Sequence, residues 1–261
     1  MRSLNTAGTG MVAQQFNLDV ISNNLANVNT TAFKAQRAEF QDLMYQTFRA
    51  SGALTGGAVN LPGSTQIGLG AKYASSATNF GSGPLQATGN PLDMAINGDG
   101  FFAVTRADGS TAYTRDGTFK RDGSGLVVSN DGYALQPNIT IPSGATAITV
   151  SASGVVSGIL AGQSQPTQLG QVQLTLFANP AGLTRVGQNL YMPGGASGEP
   201  QSLTPGQSGA GELTSAFVEG SNVQVVEEMT RMILAQRAYE INSKAIQTAD
   251  EMLGILNNLK R

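Results

Sequence analysis

The stretch Ser22-Asn-Asn-Leu-Ala-Asn-Val-Asn-Thr-Thr-Ala-Phe-Lys34 follows the heptad pattern with which the chain begins. Apolar and small residues recur at steps of three and four over residues 4–28, which predicts a helix with one narrow seam facing a partner helix. The asparagines of this stretch are poor helix formers. They indicate either a frayed helix end or amides that bond across a helix interface. The predicted seam residues and asparagines are Leu4, Met11, Leu18, Ile21, Asn23, Asn24, Leu25, Asn27 and Val28.

A matching heptad pattern occupies the other end of the chain. Ser221-Asn-Val-Gln224 has the form of a capping box, which predicts a long helix reaching about Leu259. Two such seams predict that each helix faces a partner, either the other helix or helices of other copies. Gly8 and Gly10 each cost about 1 kcal/mol relative to alanine, so the first turns of the amino-terminal helix are expected to be weak. The predicted carboxy-terminal seam is Ala235, Ala238, Asn242, Ala245, Ala249, Met252, Leu256 and Leu259.

Composition excludes several classes of function. The chain has 261 residues, a net charge of -2 and neither histidine nor cysteine. Histidine-assisted nucleophilic catalysis, thiol chemistry, structural zinc sites and disulfides are therefore excluded. The sequence also lacks a basic excess for nucleic acid, a phosphate-binding loop and an apolar run long enough to cross a membrane. We accordingly expect no enzyme, no cofactor, no metal and no membrane insertion. The first residues have no apolar signal-peptide core, so we expect that export, if it occurs, takes place without a cleaved signal peptide.

Residues 33–70 form an insert between the first helix and the β-rich part of the chain. Turn signals at Gly56-Gly57 and Pro62-Gly63 leave two interpretations, a disordered linker or an extended hairpin lying on a neighbour. Spaced apolar residues favour the hairpin. Its predicted contact residues are Phe40, Leu43, Tyr45, Ile67 and Leu69.

Residues 71–220 have the pattern of many short strands. Five Asp-Gly dipeptides begin at aspartates 99, 108, 116, 122 and 131, and Asp-Gly between apolar runs predicts hairpin turns. Calcium binding is the alternative, but the spacing of an EF-hand loop is missing. Arg115 lies beside Asp116 and could form a local or an inter-subunit ion pair; the sequence does not decide. The predicted fold is α+β, with a terminal helical domain of residues 1–32 and 221–261, the insert, and a β-rich outer domain of residues 71–220.

Four segments resemble the axial proteins of the bacterial flagellar rod and hook. They are residues 22–34, Gly98-Asp-Gly-Phe-Phe102, Tyr113-Thr-Arg-Asp-Gly-Thr-Phe119 and Arg237-Ala-Tyr-Glu-Ile-Asn-Ser-Lys-Ala-Ile-Gln-Thr-Ala-Asp250. The resemblance adds Phe33, Lys34, Arg237 and Tyr239 to the expected assembly residues. Residues 40–46 and 66–70 resemble the distal-rod members of this family in particular.

The resemblance implies a structural protein. It implies a homopolymer that forms a rigid tubular drive shaft across the periplasm and passes torque from motor to hook. Proximal rod subunits, hook subunits, surrounding ring proteins and the flagellar type III export apparatus are the implied partners. A proximal rod or hook-like subunit is the first alternative, and a secreted β-rich binding module with an oligomerising helical stalk is the second.

Overall fold

The fold, in a computed structural model that describes residues 2–49, 54–55, 59–60, 64–160 and 165–258, is α+β as predicted. The described residues divide into two units. The helical unit draws on Met1–Ala26, Gln36–Thr78 and Gln224–Arg261, and the β unit on Asn27–Ala35 and Asn79–Val223. The family motif at Phe33 and Lys34 therefore lies in the β unit.

Helices α1 (Arg2–Ala26) and α2 (Val225–Asn258) pack against each other in antiparallel directions. Asn24 meets Glu228 near one end, while Gly10 lies against Asn242 farther along. α1 is unbroken through both glycines, contrary to the expected weak first turns. A Cβ on Gly10 would lie 2.9 Å from Asn242 Nδ2, so this glycine lets the helices approach closely.

The seam between the helices follows a strict heptad on α2. Glu228, Ala235 and Ala249 are buried there, and Asn242 is half-buried at the same heptad position. The two predicted stripes thus face each other within one chain, and the interpretation in which only other copies complete them is wrong for this seam.

The described residues between Gln36 and Thr78 pair as the two arms of one hairpin, which confirms the hairpin interpretation of the insert over the linker one. Its arms are nested antiparallel pairs, β1 with β6, β2 with β5 and β3 with β4. The hairpin ends at Thr78, beyond the predicted end of the insert at residue 70. The strands are β1 Gln36–Asp42, β2 Tyr45–Arg49, β3 Leu54–Thr55, β4 Val59–Asn60, β5 Thr65–Gly68 and β6 Ala71–Thr78.

The base of the hairpin packs on α1. The ring of Phe16 stacks on Tyr73 with centroids 4.9 Å apart, and Phe40 meets Tyr73 edge-on at 6.3 Å. Gly70 has a φ of +116°, and a Cβ there would lie 2.1 Å from Thr9 Oγ1. Only glycine allows this approach of hairpin and helix.

The largest sheet in the described chain has nine strands, in the order β11-β12-β13-β9-β10-β19-β18, with β17 pairing β9 and β20. Strands β14, β15 and β16 form a second sheet, and β8 pairs with β21 and β7 with β22. The strands are β7 Leu85–Ala87, β8 Met94–Asn97, β9 Phe101–Thr105, β10 Thr111–Thr114, β11 Phe119–Arg121, β12 Val127–Ser129, β13 Ala134–Gln136, β14 Ala145–Val150, β15 Val155–Leu160, β16 Thr167–Gln171, β17 Leu174–Leu176, β18 Thr184–Gly187, β19 Leu190–Met192, β20 Gln201–Leu203, β21 Glu212–Ser215 and β22 Phe217–Glu219. Their core is closely packed, with the rings of Phe102 and Phe119 edge-on at 5.2 Å.

Three of the five Asp-Gly dipeptides occupy hairpin turns, as predicted. Those beginning at Asp108, Asp122 and Asp131 join the pairs β9–β10, β11–β12 and β12–β13. The dipeptides at Asp99 and Asp116 connect strands that do not pair with each other, so the hairpin prediction is wrong for them. Asp116 instead accepts bonds from the backbone N–H and hydroxyl of Thr118.

Gly117 and Gly123 therefore differ sharply although each follows an aspartate. A Cβ on Gly117 would lie 1.6 Å from the carbonyl oxygen of Met94, whereas a Cβ on Gly123 meets nothing within 4 Å. We expect Gly117→Ala to lower the free energy of unfolding by about 3 kcal/mol or more, because backbone must move to relieve the clash. Gly123→Ala should stay within about 0.5 kcal/mol of wild type. Urea unfolding of the purified chain, followed by tyrosine fluorescence, checks both; equal effects would contradict the packing described.

Candidate assembly surfaces

The predicted assembly residues fall into three groups by exposure. Buried are Ile21, Asn24, Phe33, Lys34, Ala235 and Ala249; half-buried are Leu4, Met11, Leu18, Leu25, Asn27, Val28, Leu43, Ala238 and Asn242; exposed are Asn23, Phe40, Tyr45, Ile67, Leu69, Arg237, Tyr239, Ala245 and Met252. The side chain of Leu256 and the whole of Leu259 lie outside the described residues. The residues of the first two groups mainly contact other residues of the same chain. The exposed residues of the third group are therefore the ones that other copies could contact.

Asn24 shows what the asparagine-rich stretch does. Its Nδ2 donates to Glu228 Oε2 at 3.2 Å and to the carbonyl of Gln36 at 2.7 Å. Its Oδ1 accepts from the backbone N–H of Gln36 at 2.9 Å. This single amide joins α1, α2 and the first residue of the hairpin, so the interpretation of amides bonding across a helix interface holds for Asn24 within one chain.

A second face of α2 remains uncovered. Val226 is 79% exposed and Ile233, two helical turns later, is 56% exposed, with Met229 between them and Ile241 beyond. These residues were not predicted, because the heptad pattern marks only the apolar residues of the seam. Helices that present large apolar side chains to solvent on the face opposite their seam are typical of assembly interfaces.

The hairpin also presents apolar side chains. Met44 is 81% exposed, and Tyr45, Phe48, Ile67 and Leu69 are exposed beside it. They project from a narrow two-stranded ribbon that has no core of its own. A ribbon of this kind is marginally stable alone and is a natural contact for a neighbouring molecule.

The β unit contains a buried ion cluster centred on Glu219. Lys34 Nζ lies 2.7 Å from Glu219 Oε1, and Arg115 Nε lies 3.1 Å from Oε2. The side chains of Lys34 and Glu219 are fully buried, and that of Arg115 is 2% exposed. Arg115 therefore pairs with Glu219, and neither sequence proposal, a local pair with Asp116 or an inter-subunit pair, describes it.

Two cations share one carboxylate in this cluster. Burial and the charge of Arg115 lower the pKa of Lys34 from its ordinary 10.5 to about 8, against the opposing effect of Glu219. Backbone groups complete the site: Gly83 N–H donates to Glu219 Oε1, and Lys34 donates to the carbonyl of Gly81. The cluster is inaccessible to a substrate, which makes its role structural.

Asn222 fastens the segments around this cluster. Its N–H donates to the carbonyl of Phe33, its Oδ1 accepts from the N–H of Ala35 at 2.7 Å, and its Nδ2 donates to the carbonyls of Asn79 and Gly81. The Ser221 hydroxyl accepts from the N–H of Val223 instead of that of Gln224, and α2 begins at Val225, so the expected capping box is not formed. Asn222, just before α2, thus binds the chain just before the hairpin and just after it.

No helix within the described ranges is long and apolar enough to cross a membrane. The described residues also contain no group of three or more acidic side chains placed to hold a metal ion.

The shared carboxylate predicts unequal effects of two substitutions. Glu219→Gln leaves two buried cations unpaired, and we expect it to lower the free energy of unfolding by about 3–5 kcal/mol. Lys34→Met leaves the balanced Arg115–Glu219 pair, and the carbonyl of Gly81 keeps its bond from Asn222, so it should cost less than half as much. Urea unfolding at pH 7 measures both. A loss in the lysine variant equal to that in the glutamine variant would contradict this arrangement.

A comparison of wild type with Lys34→Met tests the charge state of Lys34. Because the folded pKa lies below the unfolded value, the unfolded chain binds the extra proton between about pH 8 and 10.5. The free energy of unfolding of wild type, relative to Lys34→Met, should therefore rise with pH in that window.

Family comparisons agree with the motifs at both ends of the chain and in the β unit. A model described as flagella basal body rod protein matches residues 4–34, one described as flagellar hook protein FlgE/F/G D1 domain matches residues 95–158, and one described as flagellar basal body rod FlgEFG protein C-terminal matches residues 214–259.

Curated relatives match over the full length. The flagellar basal-body rod protein FlgG of Borreliella burgdorferi is 48% identical over all of this chain and 99% of its own. FlgG of Caulobacter vibrioides is 48% identical over the whole of both chains, whereas FlgF of the same organism is 35% identical over 90% of this chain and 88% of its own. The resemblance found in the sequence is confirmed, and the chain belongs to the flagellar basal-body rod and hook protein family.

Proposed function

We propose that the chain is a structural subunit of the distal flagellar rod. In this role it polymerises into a rigid tube that transmits torque from motor to hook. The observation that carries the proposal is the uncovered apolar face of α2, on a helix whose other face is already buried against α1. Burying a large apolar side chain contributes about 1.5–3 kcal/mol when it is fully transferred from water, so even partial cover of several such residues favours polymerisation.

The distal position is preferred over a proximal or hook-like one for two reasons. Identity to the Caulobacter FlgG protein exceeds identity to FlgF of that organism, 48% against 35%. The long hairpin supports the same choice, because its residues 40–46 and 66–70 resemble distal-rod proteins. We infer that its exposed side chains, Tyr45 and Ile67 among them, contact neighbouring copies and stiffen the tube.

A structural role also accounts for the charged residues. The most perturbed amine, Lys34, is sealed beside Glu219 and cannot reach a substrate. We infer that the subunit passes through the flagellar export apparatus, that it meets proximal rod subunits below, hook subunits above and ring proteins around it, and that it lies in the part of the basal body that spans the periplasm.

Substitutions on the two exposed surfaces test the proposal. Ile233→Asp on α2 and Ile67→Asp on the hairpin each place a charge where a neighbour is expected. Both should leave the free energy of unfolding of the isolated chain within about 0.5 kcal/mol of wild type, but reduce by at least tenfold the amount of chain recovered in purified basal bodies. Gln247→Asp is the matched control, an exposed and already polar residue of α2, and should incorporate normally.

Normal incorporation of both isoleucine variants, measured by quantitative immunoblot of the basal bodies, would contradict the assignment of these surfaces.

A further inference from the structure

The helical unit contains a cleft that its own side chains leave unfilled. It measures about 520 Å³ and lies where α1, α2 and strand β1 meet. Val20, Ala38, Phe40, Leu234 and Ala235 form much of the apolar part of its lining, and polar side chains, Gln14, Asn17 and Arg231 among them, form its rim. An enclosed cavity of roughly 150 Å³ holds one benzene-sized group, so this open cleft is large enough to receive apolar side chains from outside.

The far end of α2 presents apolar side chains of the matching kind. From Asp250 to Ile255 every side chain is exposed, including Met252, Leu253 and Ile255, the last 60% exposed. Leu253 falls one heptad after the half-buried Ile246, so it continues the seam face of α2. We call residues 250–255 the apolar end of α2. The side chains on its seam face are exposed, although a heptad pattern of this kind is typical of a face that packs against another helix.

We propose that the cleft of one subunit receives the apolar end of α2 from a second copy. This inference rests on the proposed function, and it specifies one contact between successive subunits of the polymer. The cleft and the apolar end are different surfaces of the same chain, so the contact is head-to-tail and leaves a free cleft and a free end at the two ends of every oligomer. Head-to-tail contacts that do not close into a ring produce open helical filaments.

Geometry excludes the same copy as occupant. Ala238, the last α2 residue that lines the cleft, is fifteen residues before Leu253. At 1.5 Å per residue the straight helix separates them by about 22 Å. The apolar end therefore cannot fold back into its own cleft without breaking α2.

Charge supports a second copy. Arg37 borders the cleft with a side chain 71% exposed, and its contact with Glu39 is a long 3.4 Å. The apolar end begins with Asp250 and Glu251. Seating it in the cleft brings these carboxylates toward an exposed guanidinium, an arrangement that favours the correct orientation of the incoming helix.

Cysteine crosslinking tests the contact directly, because the natural chain has no cysteine. The variant Ala38→Cys/Leu253→Cys, expressed in place of the natural chain, would be oxidised in purified basal bodies and separated by mass without reductant. We expect a ladder of dimers, trimers and higher multiples. The single variants Ala38→Cys and Leu253→Cys should give at most a dimer. Ala38→Cys/Gln247→Cys, with the second cysteine six residues before Leu253, should give no ladder.

A second pair, Phe40→Cys/Ile255→Cys, repeats the test at other positions of the same contact. Basal bodies that contain the double variants but yield no multimers with either pair, or only a dimer, would overturn the head-to-tail contact and leave the proposed function intact. Absence of the wild-type chain itself from basal bodies would overturn the proposed function instead.

Discussion

The carboxylate of Glu219, held between two buried cations, is the interaction on which the chain's organisation depends. Lys34 comes from the segment just after α1, Arg115 from the turn after β10, and Glu219 from the last strand before α2. Removing the carboxylate would leave two buried positive charges with no negative charge to balance them, at a cost of about 3–5 kcal/mol. The cluster therefore joins three segments of the β unit that are far apart in the sequence.

Further hydrogen bonds act within each unit. Asn222 binds backbone groups of Ala35 and Asn79 in the β unit, and Asn24 joins α1 to α2 and to the start of the hairpin in the helical unit. Within the helical unit, the bonds of Asn24 fix the first residue of the hairpin against α1 and α2. The surfaces that we propose for other copies are the outer face of α2, the apolar end of α2, the cleft and the exposed ribbon of the hairpin, all within the helical unit.

Much of this architecture could be predicted from the sequence, and the failures have physical causes. Period-3.5 spacing predicted both helices, and Asp-Gly chemistry predicted the turns at Asp108, Asp122 and Asp131. A heptad stripe shows that a seam needs cover but not which helix supplies it, so the intramolecular pairing was open. Gly117 resembles a turn glycine in sequence, yet its role is close packing on Met94. Burial of Glu219 could not be predicted, because in so short a strand the sequence pattern around a buried glutamate is the same as that around an exposed one. The outer face of α2 was missed because its apolar residues fall outside the heptad.

Electron microscopy of the purified full-length chain under assembly conditions tests the central claim most directly, that these helices belong to a subunit of a polymeric rod. The account predicts straight tubes of uniform diameter with a central channel, lengthening as protein concentration rises. A chain that stays monomeric, or that forms only closed oligomers of fixed size, would contradict it.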